Sequence, residues 1–334
     1  MHREDPLKKN RLGLGGILLV SGGVLLGSAA FLFPELGLLA GNAQMAPLPD
    51  PRATTPTEAA TTEPPADASG QALSTGPSDA VGALVPVYWL GDGAGDDDER
   101  LFREYLPAPG DSAGDPIADA VRLMTAGQPL DPDYHSSWRP ASSVSSSIST
   151  KNVITLDISS DAFPPRLDEE QGRLALQQLV YTATAAASDA GLIAGGEASS
   201  VVVLVDGAAH YRAFGSIDLG GEWTRDAATL APLWIIDPQE DTQADAGSLT
   251  VHGVGPASED ELTWRIDRST DGSAAGATSL FRDGSVDVAP QDGAPGAYSF
   301  PVNLPPGRYE ITVSVPGAPP GGAAPGDSKT VVVR

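Results

Sequence analysis

The residue types that carry most enzyme chemistry are sparse in this chain. Its 334 residues include four histidines and no cysteine, and the sequence contains no GxSxG, SxxK, HExxH, CxxC or Walker motif. The lack of cysteine excludes disulfides, thiolate nucleophiles, iron–sulfur clusters and a lipid-modified cysteine anchor. His135 and His210 could pair as a metal or base site, although a surface position for each in its own loop is the simpler interpretation. We predict no catalytic, cofactor-binding or metal-binding residue.

Two polar clusters have the composition of ligand sites. Clustered carboxylates suit calcium, and an acidic run offers them at Asp92, Asp96, Asp97, Asp98 and Glu99. Glycines stand where an EF-hand needs ligands, so a solvated hairpin tip is the preferred interpretation. Six serines lie between Ala141 and Thr150 without a neighbouring base, which favours the exposed positions of a hairpin over nucleophilic chemistry.

Four aromatic residues in predicted loops allow a further alternative. They could form a platform for a glycan, or they could be partly buried at domain edges, and we favour burial. The four are Tyr134, Trp138, Tyr211 and Trp223.

The N-terminal residues predict a membrane anchor. Leu12 to Phe33 contains no charged side chain, and Lys8, Lys9 and Arg11 precede it. About 22 helical residues at about 1.5 Å each span roughly 33 Å, enough to cross a bilayer. The basic residues favour a cytoplasmic N-terminus. A cleaved secretory signal, cut after small residues near Gly41 and Ala43, stays open as an alternative.

Composition and charge divide the rest of the chain. We predict a cytoplasmic tail over 1–11, a transmembrane helix over 12–34 and a disordered Pro/Thr-rich stalk over 35–80. The net charge of −24 makes nucleic acid an unsuitable partner, because phosphates would be repelled.

Residues 81–219 predict an α+β domain with elements in the order ββαββαβ and with helices on one side of a mixed sheet. Asp115-Pro116 supplies a cap and a first-turn proline for the first helix, and acids from Asp168 onward open the second. The segment SSVVVLVDG near the end of this region is apolar on both faces, which predicts a central strand.

These residues resemble the GerMN domain, a sporulation and spore-germination module of Gram-positive bacteria, and the resemblance with the chain's composition implies a Gram-positive, actinobacterial-type source. The resemblance covers about 130 residues and rests on the segment GQPLDPDYHSSWRP, the hairpin end Leu156–Ser159, the helical segment Gln177–Thr182, and Val205-Asp206-Gly207. It implies an interaction module with no catalytic signature.

Residues 231–334 predict an antiparallel β-sandwich. Seven short strands are separated by turn signals that include Asp283-Gly284, and Trp264 is expected to be a core aromatic. The string PPGRYEITV resembles the immunoglobulin-like domain found C-terminal to GerMN modules. The expected fold class is therefore α+β, with a transmembrane helix, a GerMN-like domain and an all-β immunoglobulin-like sandwich.

The sequence as a whole predicts a single-pass cell-membrane protein that displays two folded domains outside the cell. The expected function is that of a non-catalytic scaffold whose partners are envelope proteins or cell-wall polymer. The competing hypotheses are a peptidoglycan- or glycan-acting enzyme, which would need carboxylates such as Asp157 or Asp206 in a cleft between the domains, and an envelope ligand sensor.

Overall fold

The fold is taken from a computed structural model. It describes residues 84–93, 98–110, 114–193, 198–270, 277–289, 295–317 and 326–334. The predicted tail, transmembrane helix and stalk lie outside the described residues. Within the described ranges, no helix is long and apolar enough to span a bilayer.

The first folded region has the element order that the sequence predicts. The elements are β1 (Leu84–Asp92), β2 (Glu99–Pro107), α1 (Pro116–Ala126), β3 (Val144–Ile148), β4 (Val153–Ile158), α2 (Glu169–Asp189) and β5 (Ser200–Val205). Two short strands follow, β6 (Arg212–Ala213) and β7 (Ile217–Asp218).

The prediction of a single mixed sheet is wrong, because the strands of this region form separate sheets. β1 and β2 make an antiparallel pair, while β3, β4 and β5 make a three-stranded sheet in that order. β4 pairs antiparallel with β3 and parallel with β5. The prediction of a central strand for SSVVVLVDG is therefore wrong, because β4 is the central strand and β5 lies at the edge of this described sheet. Val201, Val203 and Val205 are buried in the apolar core of this region, and an isolated bridge between Val201 and Trp223 covers part of the outer side of β5.

Both helices begin where the caps predict. The Asp115 carboxylate accepts a hydrogen bond from Ala118 N at 2.9 Å, and the Asp168 carboxylate accepts one from Gln171 N at 2.8 Å. These bonds satisfy amide groups that the first turn of a helix leaves without a partner. Helices α1 and α2 pack against each other and against β1.

Polar residues of α2 cover the open edge of β1. The Tyr88 amide donates to Thr182 Oγ1 at 3.1 Å, and Gln178 Nε2 donates to the Tyr88 carbonyl at 2.9 Å. Thr182 and Gln178 are both fully buried. Side chains of the helix thus supply the hydrogen bonds that a neighbouring strand would supply, and they fix β1 against α2.

Replacing Thr182 by valine tests this arrangement. Valine has nearly the shape of threonine but cannot accept from the Tyr88 amide, so a buried N–H loses its partner. We expect the free energy of unfolding to fall by about 1–3 kcal/mol. Denaturant unfolding measures the change. The control is Thr155→Val on the half-buried face of β4, where we expect a change within about 0.5 kcal/mol; equal losses at the two positions would contradict the interpretation.

The second folded region is a two-sheet sandwich. Its strands are β8 (Trp234–Asp237), β9 (Thr242–Ala244), β10 (Gly247–Gly255), β11 (Glu261–Ser269), β12 (Thr278–Asp287), β13 (Gly296–Leu304), β14 (Gly307–Ser314) and β15 (Gly326–Val333). One sheet has the order β13-β10-β8 and the other β12-β11-β14-β15-β9. Apolar side chains from both sheets form one core, among them Val251, Phe300, Ile266, Ile311 and Val331. The seven strands expected in this region are present, and β9 is the one described strand of the region that the sequence analysis did not predict.

One predicted turn lies inside a strand. Asp283-Gly284 is part of β12, where Gly284 stands opposite Trp264 of β11. A Cβ atom at Gly284 would lie 2.5 Å from the Trp264 ring, so this glycine makes room for the indole and does not turn the chain. Trp264 itself is half-buried at the margin of the core and stacks on Phe300, with a ring-centroid distance of 4.8 Å.

Candidate functional site

A group of charged side chains is buried where the two folded regions meet. We call it the junction cluster; its members are Glu104, Asp131, Tyr134, Asp327 and Lys329. Their exposed fractions are 2%, 3%, 8%, 9% and 3%, respectively. Glu104 lies in β2, Asp131 and Tyr134 lie between α1 and β3, and Asp327 and Lys329 lie in β15. Charged residues are seldom this buried unless they are paired.

The alternation of β15 places its two charged residues in the cluster. Asp327, Lys329, Val331 and Val333 share the buried face of the strand. Val331 and Val333 fill the core of the sandwich. Asp327 and Lys329 stand toward the start of the strand, where this face meets the first folded region.

Lys329 is the cation at the centre of the cluster. Its Nζ contacts Asp131 Oδ2 directly, donates to Tyr134 Oη at 2.7 Å and lies 3.3 Å from Asp327 Oδ1. The ammonium also stands 4.3 Å from the centre of the Tyr134 ring, within the range of a cation–π contact. One lysine therefore links both folded regions.

The carboxylates of the cluster also bind the backbone of the facing segments. Asp327 Oδ2 accepts from Ile235 N at 2.7 Å, and its Oδ1 accepts from the Tyr134 hydroxyl at 3.1 Å. Glu104 accepts from the amides of Leu130 and Asp131, each at 2.8 Å. Two carboxylates, those of Asp131 and Asp327, thus share one ammonium, with Glu104 buried nearby, and hydrogen bonds to N–H groups compensate for their loss of water.

Burial changes the proton affinities of the cluster. It raises the pKa of Asp327 and of Glu104 above the usual carboxyl values. Burial alone lowers the pKa of Lys329, but the carboxylates of Asp327 and Asp131 outweigh that effect, so the pKa of the amine is raised. Burial also raises the pKa of Tyr134 well above its ordinary value. The raised pKa keeps the Tyr134 hydroxyl protonated, so that it donates to Asp327.

A second set of contacts joins the regions at the outer edge of β2. The Gln239 side chain accepts from the Tyr105 amide and donates to the Tyr105 carbonyl at 3.2 Å, as a paired strand would. Ala231 N donates to the Leu101 carbonyl at 3.0 Å. Trp234 and Val254 also belong to the same apolar cluster as the first region's core. Polar and apolar contacts therefore continue across the junction.

The candidate metal residues of the sequence do not form a metal site in the described ranges. There, no group of three or more histidine, aspartate or glutamate residues could hold an ion. His135 Nε2 lies 3.1 Å from Glu99 Oε1, and Asp98 pairs with Arg100 at 2.5 Å. Asp96 and Asp97 lie outside the described residues.

The serine-rich segment has a structural role at its start and at its middle. Ser146 donates to the Asp115 carboxylate through its amide at 3.0 Å and through its hydroxyl at 2.7 Å. At its start Ser142, together with Ser159, donates to Asp161. These hydroxyls bind carboxylates that hold β3 in place.

Asp161 gives this hairpin a dependence on pH. Hydrogen bonds lower the pKa of Asp161 from 3.8 to about 2, with the bond from Ser142 contributing most and the bond from Ser159 next. A carboxyl with a lowered folded pKa adds stability above its unfolded pKa and loses that stability as the pH falls through the folded pKa. We therefore expect the stability difference between the native protein and Asp161→Asn to be full above about pH 4 and to vanish near pH 2. Unfolding curves across pH 2–7 measure it, and a pH-independent difference would contradict the assignment.

The loop aromatics are buried, as expected for domain edges. Tyr134 and Trp138 are core residues, while Tyr211 and Trp223 are half-buried against the same core. The Trp138 indole donates to the Ala175 carbonyl at 3.0 Å. The interpretation as buried residues is confirmed, and the four side chains form no open platform.

Asp157 and Asp206, the carboxylates that the enzyme hypothesis would require in a cleft, lie at a tight turn. Asp157 Oδ1 accepts from Gly207 N at 2.9 Å, and Asp206 Oδ1 accepts from Ser160 N at 3.3 Å. Asp206 and Gly207 have φ angles of 50° and 77°, and the backbone of Val205 and Ala208 pairs across them. Both carboxylates therefore hold the end of the β4–β5 sheet, and neither belongs to the junction cluster.

An open hollow of roughly 410 Å³ lies beside the start of α2. Both charge signs line it, and the lining residues are Glu99, Arg100, Glu169, Glu170, Arg173, Leu174, Asp226 and Thr229. Arg173 pairs with Glu169 at 2.7 Å. The hollow is a solvated surface of paired charges.

Residues 86–210 match the family model Germane, described as sporulation and spore germination. This region of the chain is a GerMN domain, and it comprises the β1–β5 elements that supply Glu104, Asp131 and Tyr134 to the junction cluster. No curated protein matched the chain.

Solved structures of the sporulation protein GerM from Bacillus subtilis are similar to part of the chain. Its first GerMN domain is 14% identical, with 45% of this chain and 97% of that chain covered and a TM-score of 0.29. Its tandem GerMN domains are 16% identical, with 45% and 46% covered and a TM-score of 0.29. A beta-glucosidase from Listeria innocua in complex with gluconolactone is 13% identical over 34% of this chain and 16% of that chain, with a TM-score of 0.20. The domain assignment rests on the family model.

Proposed function

We propose that this protein is a non-catalytic scaffold of the bacterial envelope that acts in sporulation or germination. Residues 12–34 hold it in the membrane, and the two folded regions face outward and bind envelope proteins or cell-wall polymer. The GerMN domain, joined to a β-sandwich through a buried set of charges, is the observation that carries this proposal.

The form of the junction supports a scaffold. A scaffold must hold its binding surfaces at a fixed separation, and a buried network of hydrogen-bonded charges admits few alternative arrangements of the two regions. A net charge of −24 argues against nucleic acid as the partner. The function requires no cofactor.

Fractionation of the source bacterium tests the anchor. The full chain should sediment with membranes. When the cell wall is removed and protease is added to the intact cells, the folded regions should be digested. A variant lacking residues 12–34 serves as the control and should stay in the cytoplasm. Recovery of mature protein from the culture medium with an N-terminus near residue 44 would show a cleaved signal in place of an anchor.

Two further experiments test the role. Deletion of the gene should impair sporulation or germination, and the full chain should restore it; normal spores and normal germination would contradict the process. Purified protein incubated with peptidoglycan should release no muropeptides, and release above a buffer control would establish the enzyme alternative.

A further inference from the structure

We propose that the junction cluster is a self-modifying site in which Lys329 and Asp131 form an amide bond that covalently joins the β-sandwich to the GerMN domain. The proposal concerns the junction itself and does not depend on the process in which the protein acts.

Amide formation between side chains needs an amine and a carboxyl group in contact, shielded from water and beside a proton carrier. Lys329 Nζ contacts Asp131 Oδ2 directly, and each of the two residues has an exposed fraction of only 3%. Held in contact, the two groups react as one molecule, and this proximity replaces a large part of the entropic barrier. Burial also keeps away the water that would favour hydrolysis.

Asp327 is placed to carry the proton. Its Oδ1 lies 3.3 Å from Lys329 Nζ, and the Tyr134 hydroxyl bridges the two, at 2.7 Å from Nζ and 3.1 Å from Oδ1. Burial raises the pKa of the Asp327 carboxyl, so this group accepts a proton more readily than an exposed aspartate. The neighbouring carboxylates also raise the pKa of Lys329, so the amine becomes a nucleophile only when its proton passes to Asp327. The Tyr134 ring forms the wall beside the amine.

Asp131 is a better acyl partner for the amine than Asp327. Asp131 presents Oδ2 to Nζ while its Oδ1 is held by the Asp133 amide at 2.9 Å, so the carboxyl group is fixed with one oxygen toward the lysine. Asp327 lies two residues from Lys329 on the same strand, and its two oxygens are held by Ile235 N and by the Tyr134 hydroxyl.

The step balances without any further reactant. The Lys329 ammonium gives one proton to Asp327, and the neutral amine attacks Cγ of Asp131. Asp327 then gives the first proton to one oxygen of Asp131. It next takes a second proton from the nitrogen and passes it to the same oxygen, which leaves as water. One C–O bond breaks, one C–N bond forms, and one water leaves. The reaction converts a buried ion pair into a neutral amide, which removes two charges from an environment that penalises them.

The bond would act as the covalent staple of a chain that has no cysteine. It would span 198 residues of sequence, and closing so long a loop restricts the unfolded chain more than closing a short one. The link joins the last strand of the sandwich to the GerMN domain, so pulling or local unfolding could not separate the two regions.

Peptide mapping of the denatured full-length chain tests the proposal. Trypsin cannot cut after an amidated lysine or before Pro140, so an amide leaves residues 123–151 joined to residues 309–334. We expect a single joined peptide whose mass is the sum of the two segments minus one water. A wild-type digest that releases 309–329 and 330–334 as separate peptides, with 123–151 unlinked, would overturn the proposal. The result does not depend on how the N-terminus is processed.

Three variants define the roles of the residues. Lys329→Arg keeps a cation but lacks the nucleophilic amine, and Asp131→Ala lacks the acyl carbon, so neither should contain the joined peptide. Asp327→Asn should retain both reacting groups but form at least tenfold less of the joined peptide over the same time. Complete joining in Asp327→Asn would overturn the role of Asp327 as proton carrier. The amide can form only in the folded protein, so circular dichroism of each variant before denaturation establishes that a missing joined peptide reflects the lost group and not a failure to fold.

Discussion

Replacing Lys329 by methionine is expected to lower the free energy of unfolding by about 3–5 kcal/mol relative to the native chain in which Lys329 and Asp131 are unjoined and still form an ion pair, because breaking a buried ion pair leaves uncompensated charge. Methionine is about as long as lysine and fills the same space. The lost free energy of unfolding therefore comes from the missing charge and hydrogen bonds more than from a cavity. Three carboxylates, those of Glu104, Asp131 and Asp327, would remain buried around an apolar side chain. Denaturant unfolding of the full chain measures the change.

The deficit of the Lys329→Met variant should depend on pH. Lys329 lowers the pKa of both Asp327 and Glu104, so its removal raises these pKa values further above the unfolded values. Acids with raised folded pKa values bind more protons in the folded state than in the unfolded state, and the folded state gains stability as the pH falls. The deficit should be largest near neutral pH and should shrink as the pH falls into the carboxyl range. A deficit that is constant with pH would contradict the electrostatic explanation.

Two comparisons separate this effect from general sensitivity to substitution. Lys151→Met removes an exposed lysine at the β3–β4 turn and should change stability by less than about 0.5 kcal/mol. Adding Asp131→Asn to Lys329→Met should recover part of the loss, because one unpaired carboxylate becomes neutral. Additive losses in the double variant would mean that the two residues do not interact.

Local signals in the sequence predicted most of the elements but not how the strands of the first region pair. Caps at Asp115 and Asp168 fixed the helix starts, since each depends on residues three positions away. The division into two sheets depends on Gln178 and Thr182, which occupy the edge of β1. Their polarity is visible in the sequence, but their target lies about 90 residues away, and no local rule specifies it.

The junction cluster illustrates the same limit for the site. Asp327 and Lys329 alternate in register with Val331 and Val333, and this pattern places two charges on a buried face. That signal is readable from the sequence alone, since a charge at every second position before two valines extends the alternation of a strand. The identity of the partners, Asp131 and Tyr134, follows from the packing of two domains. Asp131 belongs to a segment that carries the GerMN resemblance, yet the resemblance assigns it no role.

Replacing Gly253 by alanine is expected to destabilise the sandwich by about 3 kcal/mol or more, because overpacking here meets backbone that cannot yield cheaply. Gly253 lies in β10 at the point where its register with β8 shifts. A Cβ atom would stand 2.2 Å from the Trp234 carbonyl oxygen and 2.4 Å from the Tyr298 hydroxyl. Relieving the first contact requires β8 to move away from β10, and relieving the second requires the Tyr298 side chain of β13 to shift.

That movement would also reach the junction cluster. β8 carries Ile235, whose amide donates to Asp327 Oδ2 at 2.7 Å, and a displaced β8 would remove this bond from a buried carboxylate. We therefore expect Gly253→Ala to weaken the contact between the two folded regions as well as the sandwich, which limited proteolysis between residues 220 and 240 would detect. The control is Gly110→Ala, where a Cβ atom would meet no neighbour within 4 Å and stability should be unchanged. Equal stability of the two variants would mean that β8 can move at little cost and does not hold Asp327 in place.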